Sequence, residues 1–406
     1  MSHILYYGRG ERVEITHSAG DAVLDYSEPV GVPLTDPQAA VMRALSQPLA
    51  FPPLTHATVP GDRIVMAVDR SVPRVREVVA AIVTTLLAGR ASPEEITILV
   101  SGERGNLGDL IELLPPEVQG ALQLVWHDPE ETNSMTYLAS SREGHRICFN
   151  RRLLDADFVL PVGTLRLSES LGYFGVYGSL FPAFSDGATI RRFQACGPTQ
   201  WEVHQRRRRE EVDEAAWLLG VQFTIQLAPG RGDDLLDVIA GESRAVASRG
   251  HEVCAQAWLH PIPQRTELVV AAIEGGTEQQ TWENFARALY SASQAVRPGG
   301  AIVLCTDLRL APGPALRQLA AGADDELLLR EIRRANSPDA VSALLLADAL
   351  HQTHVYLLSG LDQETVEELG LGYVADPAEV TRLCQRVDSC ILLGNAHRAI
   401  LRVQEQ

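Results

Sequence analysis

The sequence predicts an α/β protein of two domains, each with a mostly parallel sheet flanked by helices, and with a ligand cleft between them. Its 406 residues suit two domains, since ~150 residues is a common domain size. Short apolar runs alternate with stretches of helical periodicity, which is typical of repeated βαβ units. Two prolines at residues 260–263 (HPIP) interrupt the alternation. We interpret them as a linker between an N-terminal domain, residues 1–262, and a C-terminal domain, residues 263–406.

The N-terminal domain contains one clear βαβ unit after an irregular segment rich in glycine and proline. Residues 63–68 (RIVMAV) form a short apolar run typical of a buried parallel strand, residues 75–88 have apolar side chains at helical spacing, and residues 96–100 form the next strand. The other predicted elements are a helix at 37–46, strands at 122–126, 146–149 and 158–162, a helix at 210–219, a hairpin of 222–227 with 236–240, and a helix at 242–258.

The C-terminal domain repeats the same alternation. A strand at 268–273 and a helix at 282–296 come first, and Gly299-Gly300 predicts a turn that ends this helix before a strand at 301–305. The remaining predicted elements are a helix at 339–351, a strand at 355–358, a helix at 377–385 that starts with proline, and a strand at 390–393.

Composition and charge exclude several classes of protein. No apolar run reaches the ~18 residues of a membrane span, and the first residues do not resemble a secretory signal, so we expect a cytoplasmic protein. The six cysteines are scattered without a CxxC pair, which favours reduced thiols and offers no metal site. A net charge of -17 argues against nucleic acid and anionic membranes as partners. The basic run Arg206–Arg209 precedes acidic residues, which is typical of a solvated helix face.

The sequence contains no lysine, so all 35 basic residues are arginine. Arginine stays protonated and is a poor nucleophile. Lysine Schiff-base chemistry, a Walker A phosphate loop and any lysine-tethered cofactor are therefore excluded.

Polar loops follow the predicted strands at the edge where open α/β sheets bind ligands. Asp69 directly follows the first such strand, with a helix-capping role as the alternative to a catalytic one. Glu103 and Arg104 follow the next strand, where they are candidates for catalysis and for substrate binding, or a surface ion pair.

Glycines and histidines give weaker signals. Gly172, Gly175 and Gly178 are spaced by three and allow close approach of a ligand, or tight packing, but they do not form a GxGxxG motif. His127 follows a strand and is a candidate for proton transfer, with a hydrogen-bonded core histidine as the alternative.

Several short motifs follow one another along most of the chain. They are GDR at 61–63 followed by Asp69, HDP at 127–129, NR at 150–151, AD at 156–157, the glycine-rich segment 171–190 and an AxxxGxxF run at 216–223. Together they resemble the nickel-dependent lactate racemase (LarA-type) family. That resemblance implies two α/β domains around a pincer nucleotide carrying nickel, which a lysine tethers and a histidine ligates. It also implies proton transfer by two further histidines and racemisation of a 2-hydroxy acid through hydride transfer.

At most positions where the family has its cofactor-binding, catalytic and substrate-binding residues, this sequence has a different residue. The tether lysine corresponds to Gly178, the nickel histidine to Gln194, the histidine before the glycine segment to Ser168, the first catalytic histidine to Glu103, the substrate arginine to Val72, and two substrate-facing residues to Asn284 and Arg287. Only Asp69 is kept among the polar positions that can be placed. A Gln amide is a far poorer nickel ligand than imidazole, and an acid/base pair of histidines is missing.

Three functions remain open from the sequence. The first is a racemase-family protein that binds a small carboxylate or a nucleotide, with neither nickel cofactor nor metal, through arginines such as Arg104 and Arg287. The second is an active racemase or epimerase with an untethered cofactor. The third is a non-catalytic scaffold or assembly subunit, and self-association as a homo-oligomer is compatible with each.

Overall fold

A computed structural model describes residues 2–16, 22–69, 72–101, 107–167, 173, 175–194, 201–320, 326–335 and 337–404. The strands within these ranges are β1 (Ser2–Tyr7), β2 (Glu11–Thr16), β3 (Ala22–Tyr26), β4 (Ile64–Asp69), β5 (Ile96–Ser101), β6 (Gln123–Trp126), β7 (Met135–Ser140), β8 (Arg146–Asn150), β9 (Phe158–Thr164), β10 (Thr224–Pro229), β11 (Leu235–Gly241), β12 (Leu259–Ile262), β13 (Thr266–Ala272), β14 (Val296–Cys305), β15 (His354–Leu358), β16 (Gly372–Tyr373), β17 (Ser389–Leu393) and β18 (Ile400–Val403).

The helices lie mostly between strands, as the alternation predicts. They are α1 (Pro37–Ser46), α2 (Val75–Ala88), α3 (Pro116–Ala121), α4 (Arg151–Leu154), α5 (Gly187–Gln194), α6 (Trp201–Leu219), α7 (Ser243–Trp258), α8 (Trp282–Ser293), α9 (Pro314–Ala320), α10 (Glu326–Ala335), α11 (Ala340–Gln352), α12 (Gln363–Glu368) and α13 (Pro377–Cys384). No helix in the described part of the chain is both long and apolar enough to span a membrane.

Two six-stranded sheets organise the molecule and confirm the predicted α/β class. The first has the order β11-β10-β9-β4-β5-β6, with only the β10–β11 hairpin antiparallel, and the second has the order β16-β15-β14-β13-β17-β3 with all neighbours parallel. Their central strands are apolar throughout, because helices cover both faces of such sheets. In β4, for example, residues 64–68 are all buried.

The N-terminal segment completes the C-terminal sheet. Strand β3 pairs with β17 in parallel, from Ala22 opposite Ser389 to Tyr26 opposite Leu393. The β1–β2 hairpin places three buried side chains in the same core cluster as strands β13 and β17: Leu5, Val13 and Ile15. The division at residues 262 and 263 stays a prediction, to which the structure adds this return of the first strands to the second sheet.

Two local predictions are wrong. Residues 259–262 are not a linker but strand β12, which pairs in parallel with β18; a proline is tolerated there because the sheet has only two strands. Gly299 and Gly300 do not end a helix, since α8 stops at Ser293 and both glycines lie within β14. There the pairing with β13 is irregular, and Gly299 takes a φ of +72°, which suits a bulge.

The two halves share one apolar core. A single cluster of buried side chains extends from Val65 and Leu99 of the first sheet, through Trp258 at the end of α7, to Val269 and Leu289 of the second half. Because this core is continuous, the carboxyl end of β4 and the first turns of α8 are held close together.

Candidate functional site

A cluster of charged side chains lies where the two halves meet. Arg287, in the second turn of α8, has only 7% of its surface exposed. It donates one hydrogen bond of 2.7 Å to Asn284 Oδ1 and another to the carboxylate of Glu283. Thr281 caps the helix and accepts from the Asn284 backbone N–H at 3.2 Å, which fixes the turn that carries these side chains.

Arg287 belongs to the second half of the chain but interacts electrostatically with residues of the first half. Burial and the nearby charge of Arg166, which follows β9, lower its pKa to about 10, while Glu283 and Asp69 oppose this change. Arg287 in turn lowers the pKa of Glu283. Arg287 therefore keeps its positive charge at neutral pH, and the charge of Asp69 and the amide of Asn284 both act on it.

The loop after β17 adds two residues that the sequence analysis missed. Arg398 is 8% exposed and donates to the backbone carbonyl of Gly230. Burial lowers its pKa to about 10, with Arg166 adding to the effect and Asp233 opposing it. Among the described residues, no carboxylate lies within ion-pair distance of Arg398 or of Arg166.

His397, the neighbour of Arg398, is 5% exposed, and neither ring nitrogen has a hydrogen-bond partner among the described residues. It lines a pocket between α8 and β18 together with Arg287, Tyr290, Ser291, Ile400 and Leu401. Burial, followed by the charges of Arg398, Arg166 and Arg287, lowers its pKa well below the usual value, so the imidazole is neutral. The rule that ligands collect after strands would have found it, because GNAHR directly follows the last predicted strand.

The other predicted site residues have separate outcomes. Asp69 is the last residue of β4, and α2 is preceded by Arg74 without a side-chain cap, so the capping alternative is not observed. His127 is 6% exposed, donates from Nε2 to the Ser185 carbonyl at 2.8 Å and accepts at Nδ1 from Asn150 at 3.3 Å. That geometry favours the core role of His127, and its catalytic role stays a prediction.

The glycine-rich segment forms a turn next to the charged cluster. Gly175 has a φ of +82°, and its carbonyl accepts from the Gly178 backbone N–H at 3.0 Å. Burial raises the pKa of Tyr173, and Arg166 is among the charges that oppose this rise, which links the turn to the cluster. Ser168, Gly172, Glu103 and Arg104 lie outside the described residues.

The donor set does not fit the tethered nickel cofactor of the family. Gly178 has no side chain to form a tether, and Gln194, the half-buried last residue of α5, offers a neutral amide. In the described part of the chain, Glu143, His145 and Glu211 have the spacing of metal ligands. Arg192, however, donates to both carboxylate oxygens of Glu211, at 2.8 and 2.5 Å, and so competes with any cation.

Comparisons with known proteins agree with this architecture. The chain superposes on the lactate racemase apoprotein from Thermoanaerobacterium thermosaccharolyticum with a TM-score of 0.81 and 15% identity, covering 99% of this chain and 100% of that one. It also superposes on a crystal structure of a Thermotoga maritima protein with a TM-score of 0.69 and 14% identity, covering 93% and 100%. No curated protein matches its sequence.

These likenesses define a two-domain α/β protein with the lactate racemase fold. Residues 7–198 match the family model of the lactate racemase N-terminal domain. This match and the shared fold support the predicted lactate racemase (LarA-type) family.

Proposed function

We propose that this lactate racemase-family protein binds a small carboxylate at the cluster of Arg287, Arg398 and Arg166, without nickel-pincer chemistry. The observation that carries the proposal is the pair of buried guanidinium groups of Arg287 and Arg398, with the half-buried Arg166 acting on both of them. Arg287 has an ion-pair partner in Glu283, which is 66% exposed, whereas Arg398 and Arg166 have no carboxylate at ion-pair distance among the described residues. Buried charges are normally paired, and a carboxylate ligand supplies the missing partner through bidentate hydrogen bonds.

The absence of nickel chemistry follows from residue types. A tether needs a lysine, and this sequence has none. Nickel in a pincer needs a good fourth donor, and Gln194 is a poor one. His127 holds both ring nitrogens in internal hydrogen bonds, so it does not replace the missing acid/base pair.

The competing functions have less support from the described residues. A nucleotide would require a phosphate site, and the turn at Gly175 and Gly178 offers no helix N-terminus with the spacing of such a site. An active racemase with an untethered cofactor would need proton carriers. His145 lies 3.4 Å from Glu211 and 3.3 Å from Arg192, so its ring is already engaged by neighbouring charged side chains. A scaffold role does not account for two buried arginines in one cleft.

Calorimetric titration with sodium lactate tests the proposal. We expect the wild-type protein to bind one lactate, and Arg287→Gln to weaken binding by about 10- to 100-fold, because a charge-assisted hydrogen bond contributes roughly 1.5–3 kcal/mol. Arg330→Gln is the matched control, since Arg330 is exposed and its partner Glu326 lies 2.6 Å away on the same helix. Arg330→Gln should bind as the wild type does.

Three results would contradict carboxylate binding at this cluster. The first is a folded wild-type protein that gives no heat with lactate, acetate or malonate. The second is an Arg287→Gln variant that binds lactate as tightly as the control. The third is binding of ATP but not of lactate, which would favour the nucleotide alternative.

A further inference from the structure

Both ring nitrogens of His397 lack a hydrogen-bond partner among the described residues, and His397 lies beside the arginine cluster. We propose that His397 is a ligand-binding residue of this pocket and takes up one proton when an anion binds there, so that the ring N–H donates to the anion. The proposal rests on the proposed function, because the carboxylate held by the arginines is the anion in question. Its consequence is that ligand binding becomes stronger as the pH falls.

No hydrogen bond among the described residues gives the His397 ring a structural role. A buried histidine in a protein core normally has at least one hydrogen-bond partner, as His127 does with Ser185 and Asn150. His397 is as deeply buried but has none among the described residues, and it shares its pocket with Arg287. Leaving a buried polar group unsatisfied costs ~1–3 kcal/mol, so a ligand that satisfies it gains a contact that the free protein lacks.

The charges around His397 come from several elements. Arg287 lies on α8 with Glu283 one turn before it, Arg398 lies on the same loop, and Arg166 follows β9. Asp233, in the β10–β11 turn, and Glu274, after β13, act on Arg398. Burial, followed by the charges of the three arginines, lowers the pKa of His397 and keeps the free imidazole neutral.

Binding of an anion beside His397 favours the protonated imidazole over the neutral one. A carboxylate within ~4–6 Å of a histidine favours the charged form and raises its pKa, and here it also neutralises one of the arginines that oppose protonation. The proton comes from solvent and moves to a ring nitrogen, and that N–H then donates to a carboxylate oxygen. No covalent bond forms or breaks in the ligand, so the step needs no co-reactant.

Calorimetry with sodium lactate in two cationic buffers of different ionisation enthalpy, Tris and Bis-Tris, measures the proton uptake directly. We expect the wild-type protein to take up a fraction of a proton near neutral pH, and its affinity for lactate to weaken by up to tenfold per pH unit between about pH 6 and about pH 8. His397→Gln keeps a hydrogen-bonding side chain that does not titrate. It should bind lactate with no proton uptake and an affinity that changes less than about twofold over this range.

His251→Gln is the matched control, because His251 is exposed on α7; it should behave as the wild type. Lactate binding without proton uptake in the wild-type protein overturns the role of His397 and leaves carboxylate binding intact. Proton uptake that persists in His397→Gln also overturns it. Absence of lactate binding in the wild-type protein overturns both proposals. Should His397→Gln fail to fold, the wild-type uptake and pH profile still decide the question.

Discussion

Burial sets the charge of three histidine side chains in this protein. His127, His260 and His397 are all at most 6% exposed, and burial is the first cause that lowers the pKa of each. They differ in their partners: His127 has two hydrogen bonds, whereas His260 stacks on the ring of Tyr26 with 4.8 Å between centroids. Each must gain a proton to be charged, and each is more easily protonated in the unfolded chain.

This behaviour predicts loss of stability in mild acid. Burial lowers the pKa of His260 to about 4, below the unfolded value of 6.5, so the unfolded state binds more protons between these values. Stability contributed by neutral His260 is therefore present above pH 6.5 and lost as the pH falls, by about 2 kcal/mol at pH 5. Urea unfolding at pH 6.5 and at pH 5 should show a smaller loss of unfolding free energy for His260→Gln than for the wild type.

His251→Gln again serves as the control for this measurement, because it replaces an exposed histidine by the same residue type. His127 and His397 remain in the His260→Gln variant, so part of the acid sensitivity should remain as well. An unchanged loss of stability in His260→Gln would show that His260 does not resist protonation in the folded protein.

At the scale of elements, the ends of the chain do not define the ends of the domains. Strand β3 extends the second sheet beside β17, and the β1–β2 hairpin covers this sheet with its buried side chains. In β1, Leu5 is fully buried, whereas the adjacent Ile4 points to the other side and is 39% exposed. The hairpin is thus a packed part of the second half.

Adjacent residues in β1 allow a matched test of this packing. Leu5→Ala should lower the free energy of unfolding by about 2–4 kcal/mol, because it removes buried methylene groups and leaves a cavity. Ile4→Ala, one position away on the exposed side of the strand, should cost less than about 1 kcal/mol. Denaturant unfolding of both variants measures the difference, and equal losses would mean that the hairpin does not pack on the second sheet as described.

At the scale of the whole molecule, the lactate racemase fold is combined with a sequence that contains no lysine. The shared core brings Arg287 within reach of the charge of Asp69 and of a hydrogen bond to Asn284. In the proposed correspondence with the family, Gly178 and Gln194 stand where the family has its tether lysine and nickel histidine. A scaffold of this kind can keep a binding cleft even where the groups for metal chemistry are missing.

Nickel content gives the corresponding prediction for the intact protein. After co-production with a working pincer-cofactor pathway, elemental analysis of the folded protein should find far less than one nickel per chain, because tether and imidazole ligand are both absent. A family member that has the lysine and the histidine, produced in the same cells, is the positive control. Stoichiometric nickel in this protein would favour the alternative function, a racemase with an untethered cofactor.

Much of the fold could be predicted from local pattern alone. The helix at residues 75–88 and the hairpin of β10 with β11 agree with the predicted elements, because their periodicity and turns lie within the segment itself. The predictions at 260–263 and at Gly299 were wrong for the opposite reason. A proline or glycine that is accommodated in a strand depends on pairing partners far along the chain, here β18 and β13.

The sequence by itself determined the α/β class, the resemblance to the lactate racemase family, the absence of lysine chemistry, and the candidate residues Asp69, Asn284 and Arg287. Only the tertiary structure decided that His397 and Arg398 join them and that His127 is satisfied within the core. Residue type and periodicity are local properties that a sequence contains directly. Burial, unsatisfied hydrogen-bonding groups and mutual charge depend on which distant segments pack together, and the fold alone brings residue 397 next to residue 287.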